Sequence, residues 1–123
     1  MAGDFSAIQG LHLPGGFFIS RLEFVAEPLT DALGRPALAR TRILGREFQI
    51  TLLASQTDKE KSVSLYHEIL EAMTVAAVEP PVGVIEFNEG DFERAAYEAH
   101  NRFGDASSET VNRMLQFHGF GEG

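Results

Sequence analysis

Residues 57–77 read TDKEKSVSLYHEILEAMTVAA, and this stretch decides the fold. Thr57 and Glu60 stand in the T-x-x-E spacing of a capping box, in which each side chain accepts from the other residue's backbone N–H. The pattern predicts a helix from Asp58 to Ala77, ended by Pro80-Pro81. At about 100° per residue, Val63, Tyr66, Leu70, Met73 and Ala77 form one apolar stripe, and Leu65, Ile69, Ala72 and Ala76 form a second beside it. A helix apolar round half its circumference is packed on two sides. The open face carries Ser64, His67, Glu68 and Glu71.

Upstream of Thr57 the period is two, not 3.6. Phe18, Leu22, Phe24 and Ala26 alternate with Arg21, Glu23 and Val25, which predicts a strand over residues 17–27. Residues 28–36 read as a turn region, sharpest at Gly34-Arg35-Pro36. In residues 40–54 the apolar parity flips near Gly45, which predicts a hairpin turn or bulge there. Downstream, Gly83 to Phe87 reads as a short strand, Asp91 to Phe103 as a second helix ended by Gly104, and Ser107 to His118 as a third. The order β-β-α-β-α-α implies an α+β fold, a small antiparallel sheet with three helices packed on one face. Residues 1–123 read as a single domain, β-rich over 1–55 and helical over 56–119.

The chain has no cysteine, which excludes disulfides and thiolate metal sites. Its net charge is −8. Five acids and five arginines cancel over residues 1–55, so the helical half carries the whole excess. That surface repels phosphate backbones and attracts cations, so a nucleic-acid partner is not expected. Met1-Ala2-Gly3-Asp4-Phe5 does not read as a signal peptide, and no apolar run reaches the roughly 20 residues of a membrane span. A cytoplasmic location without membrane association is the expectation.

His67 and Glu71 lie one helical turn apart and can converge on one divalent cation, and Glu68 on the same face can take a proton from water that the cation activates. The same residues also fit a solvated helix face. On the second helix, Phe92, Ala95, Ala96, Ala99 and Phe103 form the apolar stripe. Glu98 points away from it, whereas Glu93 and His100 share a strip at its edge. Helix geometry makes His100 the candidate third ligand. His118 reads as a helix C-terminal histidine favoured by the dipole, and His12 lies in a loop. Arg35, Arg40, Arg42 and Arg46 form a basic strip that could dock an acidic partner or remain a solvated hairpin.

Phe48-Gln49-Ile50-Thr51-Leu52, the capped Thr57 to Lys61, and Ser64-Leu65-Tyr66-His67-Glu68-Ile69-Leu70-Glu71-Ala72 together resemble the core of small zincin-like metallopeptidases, of the phage-repressor-cleaving and minimal gluzincin-like kind. The similarity spans about residues 47–104, with H-E-x-x-E where that group has H-E-x-x-H. It implies that the strand before the helix borders a substrate cleft, that His67 and Glu71 bind zinc, that Glu68 is the general base, and that a glutamate on a following helix completes the set. In that group the third ligand sits in a Glu-Ala pair, which Glu98-Ala99 resembles. The expected function is a metal-dependent, peptidase-like hydrolase acting on a peptide or protein, or a degenerate relative without activity. The alternative is a non-enzymatic interaction module that binds a protein through a sheet edge or the arginine strip.

Overall fold

A computed structural model describes residues 5–31 and 33–121; Met1 to Asp4, part of the stretch that does not read as a signal peptide, lie outside them. Among the described residues, two short 3-10 turns precede five strands: β1 (Phe18–Val25), β2 (Leu29–Thr30), β3 (Pro36–Ala37), β4 (Ala39–Leu44) and β5 (Glu47–Leu53). Three helices follow: α1 (Asp58–Ala76), α2 (Glu89–Phe103) and α3 (Ser108–Phe117). The class is α+β, as the change of period at Thr57 implies. No helix among the described residues is long and apolar enough to cross a membrane.

The parity flip at Gly45 is a two-residue hairpin. Leu44 pairs with Glu47, and Gly45 takes φ +64°, a conformation open to glycine. The register then places Phe48, Ile50 and Leu52, all fully buried, on the helix side, with Arg40 and Arg42 exposed on the other. The three-stranded sheet has the order β1-β5-β4. β4 pairs antiparallel with β5, while β1 pairs parallel with it. The parallel pair arises because residues 26–38, which include the β2–β3 ribbon, carry the chain past the sheet's end, and the hairpin then inserts β5 between β1 and β4.

The two sheet edges differ. Residues 9–13 cover β1: Ile19 N–H donates to Leu11 O at 2.9 Å, Gly10 N–H to Ile19 O at 2.7 Å, and Leu22 N–H to Gln9 Oε1 at 3.0 Å. β4 ends the sheet on the other side. The resemblance implies β5 as the strand bordering a cleft; β5 is instead central, and the strand beside the open cleft is β4. Strand order is a tertiary outcome that local periodicity does not carry.

Residues 83–87 are not a strand. Val84 N–H donates to Pro81 O at 3.1 Å and Phe87 N–H to Val84 O at 3.0 Å, forming successive turns. Spacing of three brings Val84 and Phe87 to one side, where Val84 is buried and Phe87 meets Phe92 edge-on at 5.3 Å. A strand would have paired Val84 with Glu86 on one face.

Both halves of the Thr57–Glu60 capping box form, and α1 begins at Asp58 as predicted. A second box, Asn88 with Asp91, starts α2 at Glu89, two residues before the predicted start. α1 packs Leu65, Tyr66, Ile69, Leu70 and Met73 into the core that β5 supplies with Phe48, Ile50 and Leu52. Ala95, Ala96 and Ala99 let α2 lie close along α1, and Val111, Met114 and Leu115 of α3 close the core.

Candidate metal centre

The open face of α1 looks into a cleft of about 750 Å³ between β4 and the first turns of α2. His67, Glu68 and Glu71 each offer one donor atom here, and these atoms lie within 4.8 Å of one another; such a group can hold a metal ion. The helix spacing that predicted the convergence is the cause. α1's two apolar stripes are both committed to the core, so this face can only look outward.

Each ring nitrogen of His67 faces a different carboxylate environment. Nδ1 lies 2.9 Å from Glu93 Oε1, a hydrogen-bond length. Nε2 lies 3.8 Å from Glu71 Oε1 and 3.6 Å from Glu89 Oε1. The latter separations are long for hydrogen bonds and close to the roughly 3.4 Å between donors sharing a tetrahedral ion at bond lengths of about 2.0–2.2 Å. The His67 side chain is 13% exposed, with its ring 6.1 Å from that of Phe92.

The carboxylates crowd one another. Burial, above all, pushes Glu71 up to about 8, helped by a hydrogen bond to Glu89 and by the charges of Glu89 and Glu68. Burial also raises Glu68, while the hydroxyl of Thr41, donating to Glu68 Oε1 at 2.7 Å, pulls the other way. Buried acids outnumbering their cationic partners retain protons or take up a cation. The donor atoms of His67, Glu68 and Glu71 are spaced closely enough to hold a metal ion.

His100 does not join this group. Its Nδ1 lies 3.3 Å from Ser62 Oγ and 3.9 Å from Asp105 Oδ1. α1 and α2 run antiparallel, so His67 faces Glu93 while Ser62 faces His100. Seven residues along α2 amount to about 10 Å. The helical wheel assigned Glu93 and His100 to one strip, but it carries no information about position along the axis. Glu98 is exposed, as the wheel implied. Glu89 lies two residues before the helix start that the sequence predicts at Asp91. The Asn88…Asp91 capping pattern was the signal that places Glu89 in the first turn.

The basic strip is divided. Arg35 pairs with Asp31 at 2.8 Å, and Arg46 bonds to Gly15 O with its guanidinium 5.7 Å from the Phe17 ring centroid. Arg40 and Arg42 lie in register with Thr51 and Gln49, and Arg40 also lines the rim of the cleft. No protein-family model, curated protein or solved structure matches this chain.

Proposed function

We propose that this protein is a metal-dependent hydrolase of extended peptides, built on a zincin-like core. The observation that carries the reading is the His67–Glu68–Glu71 group on a cleft beside β4, the terminal strand of the sheet. In this reading His67 Nε2, Glu71 and Glu89 are the protein ligands, and Glu93 fixes the imidazole through Nδ1 as outer carboxylates do for metal-bound histidines. One imidazole and two carboxylates offer nitrogen and oxygen donors of the kinds zinc takes, and the carboxylates also suit harder divalent ions.

A cation held by these residues would supply Lewis-acid activation of water and of the scissile carbonyl. Glu68 takes the proton from the attacking water and gives it to the departing amine nitrogen as the carbon–nitrogen bond breaks. Thr41 holds Glu68 in place from β4. The peptide adds to β4 through backbone hydrogen bonds. Leu38, Ile43, Val75 and Tyr97, exposed along the cleft, meet its apolar side chains.

Glu68→Gln keeps the shape of the site and removes the base. It should retain the ion and lose cleavage of an unstructured probe such as casein. Cleavage equal to wild type would overturn the reading. A second reading, an inactive relative serving as an interaction module, draws support from the same strand edge, since strand addition needs no chemistry. Wild-type protein that captures extended peptides without cutting them would favour it.

A further inference from the structure

We propose that Thr41 is a positioning residue that keeps Glu68 out of the ion's coordination sphere. This rests on the metal reading above. The Glu68 carboxylate is close enough to be a ligand: one of its oxygens lies within 4.8 Å of the donor atoms of His67 and Glu71. It also leaves the same helix face as Glu71, three residues earlier. A cation placed among these donors attracts every carboxylate within reach, and a base that ligates the ion is no longer free to accept a proton from water.

What opposes that collapse is the hydrogen bond from Thr41 Oγ1 to Glu68 Oε1, at 2.7 Å. Among the described residues no other hydrogen bond to the Glu68 carboxylate is present. Thr41 pairs with Ile50 and so points to the helix side of the sheet, the side of the cleft. Its β-branched side chain has little rotamer freedom, so the hydroxyl is a stiff anchor. The anchor belongs to the edge strand, so the base is held by the same element that takes the peptide. Residues 43 and 39, also on that side of β4, are Ile43 and Ala39 and offer no side-chain donor.

The bond has a simpler possible role, as a donor for a partly buried carboxylate that ties β4 to α1. The two roles separate in the metal-loaded protein. Thr41→Val is nearly isosteric and keeps the β-branch, and Thr41→Ser restores the hydroxyl. The probe is Co²⁺, titrated into the full chain and followed by its visible absorption, with water access read from proton relaxation of the Mn²⁺-loaded protein.

Thr41→Val should bind Co²⁺ more tightly, by a factor on the order of 10, the scale on which outer-shell partners act. Its visible band should change and its water relaxation should fall, as Glu68 takes a position that water holds in the wild type. Thr41→Ser should match wild type in all three. If Thr41→Val loses thermal stability but keeps the wild-type affinity, band and relaxation, the bond only ties strand to helix and this proposal falls while the metal reading stands. If the wild type itself takes up neither Co²⁺ nor Mn²⁺, both fall together.

Discussion

The α1–α2 interface holds a histidine near each end; His100 has one carboxylate, Asp105, 3.9 Å from its Nδ1, whereas His67 has three within 3.8 Å of its ring nitrogens. At one end His100 meets the hydroxyl of Ser62, a fully buried residue whose Oγ also accepts from Ala106 N–H at 2.7 Å. Tyr66 donates to Gly104 O at 2.8 Å nearby, so the α2–α3 loop is fastened to α1 by neutral groups. At the other end His67 stands among Glu71, Glu89 and Glu93, with Glu68 beside it. The first end satisfies itself. The second has more acid than its one imidazole can balance, and that excess is what separates a structural histidine from a candidate ligand.

The largest expected effect comes from adding a cation to this second end. A divalent ion at 100 times its dissociation constant stabilises the fold by about 2.7 kcal/mol, on the order of 10 °C in melting temperature for a chain of this size. His67→Ala should abolish that rise, and His100→Ala should preserve it. A rise that survives His67→Ala would erase the distinction between the two ends.

Next in size is a cut at the His100 end. Ser62→Ala strips Ala106 N–H of its buried acceptor and should cost about 1–3 kcal/mol in urea unfolding, with the metal-induced rise unchanged. If that rise is lost too, the ends are coupled and the comparison is too simple.

Acidity sharpens the contrast further. Burial and its acidic neighbours push Glu71 up to about 8. A carboxyl raised in the folded state lends stability that is fully present below the ordinary glutamate range and is lost as pH rises through about 8. The metal-free melting temperature should therefore fall from pH 5 to pH 8.5, and Glu71→Gln should flatten that fall. A wild-type profile with no such decline would remove the crowding argument.

The smallest effect lies outside the interface, at His118. Burial holds its imidazole below the usual histidine range, with Glu98 opposing. A depressed histidine lends stability that is present above its ordinary range and lost as pH falls through the lowered value. His118→Phe keeps an aromatic group against Phe87 and Phe117 and should weaken the loss of melting temperature below pH 6. An unchanged acid limb would assign that limb to other groups.

Much of this was legible locally. Thr57 and Glu60 mark the start of α1, the period changes there, and the open face with His67, Glu68 and Glu71 follows from the placing of the apolar stripes. What was not legible depended on how elements meet. His100 sits on the right strip of α2 but at the far end of an antiparallel pair, a matter of axial register. Glu89 was hidden by Gly90, a poor helix former, which obscured the cap at Asn88. The apolar run at Val84-Ile85 suggested a strand, but the turns that begin at Pro81 set a spacing of three instead. Thr41, silent as a sequence feature, reaches Glu68 only because β4 passes over α1.

The central claim is that one divalent ion sits at His67. Metal analysis of the wild-type chain and of His67→Ala, both purified without a histidine tag or chelator and dialysed against equal zinc, tests it most directly. The account predicts one equivalent of divalent metal per wild-type chain and none above background in His67→Ala. Equal metal in the two proteins, or none in either, would contradict it.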